Sequence, residues 1–184
     1  MIATSPKVAY IHEPFNVKHD IGICRARFDY WFTYVSKHNE QEYYGPINDT
    51  LNFRYNLADK LRSNKHPLHI VRQLKRYVLL SRHRWLHRRP LIKDPIALFS
   101  AEWLSSSFNM DTVVLIRHPA AFAGSLKVMN WIYPFSHFIK QPILIRDRLR
   151  IFEDEIRDYS TNEKDIIDQA GLLLWKSGNT SCSL

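Results

Sequence analysis

The chain is poor in the residues that cross-link or divide a fold. It has two cysteines, Cys24 and Cys182, in 184 residues. Two thiols cannot build a disulfide framework, so a small cross-linked secreted scaffold is excluded. A reduced, cytoplasmic setting is the expectation. Five glycines leave no glycine-rich linker to divide the chain, and one domain's worth of sequence is expected to bury one core. No apolar run approaches the about 20 residues that span a bilayer. Met1-Ile-Ala-Thr-Ser-Pro6 lacks the charged and apolar regions of a signal peptide. Internal repeats and low-complexity tracts are absent as well.

Basic residues are concentrated in one stretch that has no acidic partner. From Lys60 to Lys93 there are eleven Lys or Arg and no Asp or Glu, while the other residues carry fifteen basic and eighteen acidic groups. The whole net charge of +8 therefore resides in that segment. It reads either as a solvated basic helix face or as a surface for an anionic partner, such as an acidic polymer or a membrane surface. Hydrophobic residues make up 45% and aromatics 13%, the mix of a globular protein with a packed core.

Lys7-Val-Ala-Tyr-Ile11 predicts a buried strand, ended by the turn His12-Glu-Pro-Phe-Asn16, because a residue before proline is pushed out of the helical region. The aromatic stretch from Phe28 to Tyr55 predicts one or two short helices and a long loop around Gly45-Pro46. Pro67 to Leu86 predicts an amphipathic helix with Val71, Leu74 and Val78 on one stripe and Arg72, Lys75, Arg76 and Arg82 off it. Pro90-Leu-Ile-Lys93 is a second strand. Asp94-Pro95 starts a helix, with Asp as cap and Pro at the first position. Thr112-Val-Val-Leu-Ile116 is the clearest strand, with four apolar residues in a row, as in a parallel sheet buried on both faces. A helix from Pro119 to Trp131 follows, then helical stretches over 135–158 and 162–175 and a frayed tail over 177–184. Strands alternating with helices predict an α/β fold with a parallel sheet and flanking helices.

The segment Val113-Val-Leu-Ile-Arg117-His-Pro-Ala-Ala-Phe-Ala-Gly-Ser125 bears the most chemistry. An arginine at the carboxyl end of a strand, a helix N-terminus and a serine eight residues on are the parts of a phosphate site. On spacing alone, Arg117 pairing with a carboxylate and Ser125 packing as a small residue is an equal reading. His83 and His87 stand four apart, but they lack an acidic partner and sit among cations, so no metal is expected.

Arg117-His-Pro-Ala-Ala-Phe-Ala-Gly-Ser125 resembles the 3′-phosphate-binding motif of sulfotransferases that use 3′-phosphoadenosine 5′-phosphosulfate (PAPS). Tyr10-Ile-His-Glu-Pro-Phe-Asn16, Pro90-Leu-Ile-Lys-Asp-Pro95 and Phe99-Ser-Ala-Glu-Trp-Leu104 extend the resemblance in the family's order, and more weakly it runs from Met1 to Trp175. It implies a P-loop-like fold and transfer of a sulfuryl group from PAPS, as co-substrate, to a hydroxyl or amine of a carbohydrate, lipid or small molecule. No metal and no specific nucleic acid are implied. Arg117 and Ser125 carry over as contacts to the 3′-phosphate. Glu13 corresponds to the catalytic base of the heparan-sulfate glucosaminyl sulfotransferases, with His12 a weaker candidate. Read from the residues alone, Glu13 equally caps a turn or pairs with an arginine. Lys93 corresponds to a lysine that contacts the reacting groups; from the residues alone it is equally a surface lysine paired with Asp94. The family's opening strand, its Gly/Ser/Thr-rich loop for the 5′-phosphosulfate and its last strand and basic loop have no counterpart here. The resemblance thus implies a partial sulfotransferase domain over 1–176, lacking its first central strand and last strand and inactive by itself. It also implies a strand at 112–116 without its natural neighbour on one side, with backbone donors and apolar faces exposed. A non-catalytic basic binding module using residues 60–93 is the alternative.

Overall fold

A computed structural model describes residues 5–63, 67–161 and 167–182. The fold is α/β, with a small parallel sheet and many helices. The chain divides into two compact units, one of Met1–Trp31 and Val35–Ala97, the other of Phe32–Tyr34 and Leu98–Leu184.

In the first unit, strands β1 (Val8–His12) and β2 (Arg89–Lys93) pair in parallel. The register runs from Val8 opposite Arg89 to His12 opposite Lys93. A parallel pair needs a long crossover. Here it contains helices α1 (Glu40–Leu51), α2 (Leu57–Ser63) and α3 (Pro67–Trp85). β1 alternates: Ala9 and Ile11 are buried, and Tyr10 and His12 are exposed. Among the described residues the strand read as buried is thus covered on one face, where Phe53, Ile23 and Leu80 pack on Ala9, Ile11 and Ile92 of the two-stranded sheet. Burying Ile11 alone contributes about 1.5–3 kcal/mol, which fixes the inward register.

A second cluster holds the loop after β1. Phe15 is fully buried and stacks on Phe28, which in turn stacks on Tyr43. Gly45-Pro46, read as a loop, lies inside α1. Ile47 and Thr50 anchor that helix in the core, and Thr50 Oγ1 lies 2.9 Å from both the Ile23 and Pro46 carbonyl oxygens. Tertiary burial here outweighs the helix-breaking tendency of the pair.

Helix α3 has the expected extent and an unexpected orientation. Its inner face is largely polar. Buried Gln73 accepts a hydrogen bond from the Tyr55 hydroxyl, Arg76 pairs with Asp20, His83 meets the edge of Phe53, and only Leu80 joins the apolar cluster. The stripe of Val71, Leu74 and Val78 faces solvent. Asp20 is the reason: it also takes Lys60 at 2.7 Å. Burial raises its carboxyl pKa, but the hydrogen bonds from Lys60 and the Gly22 N–H and the charges of Lys60 and Arg76 outweigh that and hold it below the ordinary value.

The second unit is helical. A 3₁₀ turn (Pro95–Ser100) spans the division between units and leads into α4 (Ala101–Phe108), followed by α5 (Pro119–Val128). An aromatic core of Phe32, Phe99, Tyr133 and Phe138 packs through edge-to-face and tilted pairs, with ring centroids 4.7–6.2 Å apart. The 135–158 stretch, read as helical, is broken into α6 (Ser136–Ile139), α7 (Pro142–Leu144), a π turn (Ile145–Leu149), a 3₁₀ turn (Arg150–Phe152) and α8 (Glu153–Thr161). Pro142 has no N–H and cannot continue α6. Helix α9 (Ile167–Cys182) runs through residues 177–182 of the tail expected to fray, because Leu173, Leu174 and Ser177 are buried; residues 183–184 lie outside the described residues. Residues 162–166 of the expected last helix lie outside the described residues.

The strand expected at 112–116 does not form; the segment is irregular and its apolar side chains are in water, Val113 79% and Leu115 88% exposed. An apolar run becomes a strand only when a neighbour takes its backbone groups. Among the described residues the sheet is β1 and β2 alone, so two strands form where three were read.

Candidate functional site

Parallel pairing brings the carboxyl ends of β1 and β2 together. The Glu13 N–H donates to the Lys93 carbonyl at 3.1 Å, so the two residues read as catalytic share one strand edge. Glu13 sits at φ 41°, a left-handed conformation that a non-glycine residue seldom adopts. Its half-buried carboxylate accepts a hydrogen bond from Asn16 Nδ2 at 3.1 Å on Oε2, and Oε1 lies 4.0 Å from His12 Nε2. His12 is itself engaged through Nδ1 with the Tyr10 hydroxyl at 3.0 Å.

Asp94 is the residue that sequence reasoning undervalued. It caps as Asp-Pro predicts, accepting the Ile96 N–H at 3.0 Å, but what it caps is the 3₁₀ turn Pro95–Ser100 and not the start of the expected helix, which begins at Ala101. It also reaches across to accept the Phe15 N–H at 2.7 Å. Burial pushes its carboxyl pKa up to about 6; the N–H groups of Phe15 and Ile96 oppose this, and the Glu13 charge adds to it. Both Asp94 oxygens are thus committed to backbone donors. The Lys93–Asp94 pair, one alternative for Lys93, does not form among the described residues, and the Lys93 side chain is exposed. Asn16 was the other missed residue; its signal was its place three residues after Glu13 in a turn.

Arg117 and Ser125 lie in the second unit. Arg117 is exposed, two residues before α5, and makes no ion pair among the described residues, so the carboxylate pairing does not form there. Its carbonyl accepts the Trp175 indole N–H at 2.6 Å. His118 caps α5, its Nδ1 accepting the Ala120 N–H at 3.3 Å, which occupies one donor of the helix end. Ser125 is half-buried, and its hydroxyl donates to the Ala121 carbonyl at 3.0 Å. Arg117 and Ser125 do not touch each other among the described residues. The exposed guanidinium fits a phosphate group, whereas the Ser125 hydroxyl has to turn from the Ala121 carbonyl before it can donate to a phosphate oxygen.

His83 and His87 do not share a helix face, since α3 ends at Trp85 and His87 has φ 48°. Burial and the charges of Arg88 and Arg82 push the His83 pKa down. Among the described residues no group of three or more His, Cys, Asp or Glu is placed to hold a metal, and no helix is long and apolar enough to cross a membrane. Comparison with protein-family models, curated proteins and solved structures finds no match to this chain.

Proposed function

We propose that the chain carries parts of a PAPS-dependent sulfotransferase: acceptor-activating residues in its first unit and 3′-phosphate contacts in its second. PAPS would supply an activated sulfuryl group to an acceptor hydroxyl or amine: the bond from sulfur to the acceptor forms as the bond from sulfur to the 5′-phosphate oxygen breaks, and 3′-phosphoadenosine 5′-phosphate leaves. Glu13 is the base that takes the acceptor's proton, with Asn16 holding one carboxylate oxygen so that the other is presented. Lys93 stabilises negative charge on the reacting groups. Arg117 and Ser125 contact the 3′-phosphate. The observation that carries the reading is the β1–β2 register, which sets Glu13 and Lys93, far apart in sequence, at one strand edge. Ligands of parallel sheets bind beyond such edges.

The test is thermal unfolding with 3′-phosphoadenosine 5′-phosphate on the parent, Arg117→Ala and Glu13→Gln. A ligand that binds only the native state stabilises it by about 2.7 kcal/mol at 100 times its Kd. The expected result is a rise in Tm that is lost in Arg117→Ala and kept in Glu13→Gln. No response in the parent, or a response indifferent to Arg117, overturns the reading.

A further inference from the structure

Helix α3 presents to solvent the stripe that helices ordinarily bury. Val71, Leu74, Val78 and Trp85 fall within a narrow arc at 100° per residue and are 51%, 44%, 63% and 78% exposed. Lys75 and Arg82 stand four residues after Val71 and Val78, so cations border the stripe along its length. Arg72 and Arg84 add further positive charge, and none of these four cations makes an ion pair among the described residues. The opposite face is tied down by the Gln73–Tyr55 hydrogen bond, the Arg76–Asp20 pair and Leu80.

We propose that α3 is an interfacial helix that docks on an anionic lipid bilayer. Charge selects the class of partner: the segment from Lys60 to Lys93 has no acidic residue, so a second copy presenting the same face meets like charge. Shape selects among anionic partners. The inner face is committed to the protein, so a partner that wraps the helix is excluded, while a flat surface meets the whole free face. The side-chain pattern matches as well. Leucine, valine and tryptophan enter the boundary between headgroups and acyl chains, and Lys and Arg at the stripe's edges extend to lipid phosphates. Trp85, at the helix end, is the residue type enriched at that depth. An RNA or polysaccharide has no apolar layer to receive Val71, Leu74 and Val78. The inference is independent of the sulfotransferase reading, since none of its residues belongs to that site.

The experiment is flotation of the full chain with vesicles of phosphatidylcholine alone or with about 30 mol% phosphatidylserine, at about 0.15 M salt. The variants are Val78→Asp, Val71→Asp and Lys75→Gln/Arg82→Gln. All of these side chains are exposed, and an unchanged Tm verifies that each variant folds. The parent is expected to float only with phosphatidylserine present. Each Asp variant is expected to lose binding at least about ten-fold, and each neutralised cation about five-fold. Quenching of Trp85 fluorescence by brominated acyl chains, lost in Trp85→Phe, is the depth readout. Absence of flotation overturns the proposal. So does flotation unchanged by the Asp variants, which marks a polyanion surface, and so does self-association that buries the stripe.

Discussion

Asp94 shows how one residue turns burial into pH dependence. Its pKa is raised from 3.8 to about 6 on folding, so between those values the native state binds more protons than the unfolded chain. The contribution to stability is full below pH 4 and is lost as pH rises through 6, on the order of 2–3 kcal/mol. Asp20 works in the opposite sense. Its pKa is held below the ordinary value, so its contribution is present at neutral pH and is lost only as pH falls below 4. Urea unfolding of Asp94→Asn between pH 4 and 7 is expected to show a shallower fall in stability with rising pH than the parent. An identical slope would mean that Asp94 is ionised when folded. Phe15, fully buried in the same loop, is expected to cost about 3–5 kcal/mol on substitution by Ala, read as a fall in the denaturation midpoint.

Elements succeed here according to whether they find a partner. Helices α5 and α9 pack closely because Gly171 has no side chain. A Cβ there meets the Ala123 backbone at 3.2 Å. Gly171→Val overpacks this contact and is expected to destabilise by about 1–3 kcal/mol, measurable as a lowered Tm. The segment from Thr112 to Ile116 is the converse case. Its side chains are exposed, so Leu115→Lys removes no packing and is expected to change stability by less than about 0.5 kcal/mol. It also breaks an apolar, uncharged run that invites association between chains. Light scattering at increasing protein concentration is expected to show less aggregation for Leu115→Lys than for the parent.

Across the whole molecule, the distribution of charge matters more than its total. Replacing Arg72, Lys75, Arg82 and Arg84 by Gln and replacing Lys18, Arg27, Lys37 and Arg150 by Gln lower the net charge equally, and all eight side chains are exposed. The first set is expected to shift elution from a cation exchanger to lower salt by more than the second, because clustered charges act together on an anionic surface. Equal shifts would mean that the basic segment has no special reach.

The sequence by itself determined where β1, β2 and α3 run, that Asp94 is a capping residue, and which segment carries the positive charge. These depend on local propensity, capping and composition, which neighbours in the chain decide. The pairing of β1 with β2 was legible only as a class of sheet; its register, and with it the meeting of Glu13 and Lys93, came from burying Ala9 and Ile11 under Phe53. The second burden on Asp94, the Phe15 N–H, was not legible because that donor comes from the other strand's loop. Tertiary structure alone decided the fate of two apolar patterns. The Val113–Ile116 run has strand propensity and no strand to pair with. The α3 stripe has helical periodicity, yet the Asp20 ion pairs and the Gln73 hydrogen bond turn its polar side inward. Periodicity says which residues share a face; only the rest of the molecule says which face is buried, because burial is settled by the partners available to it.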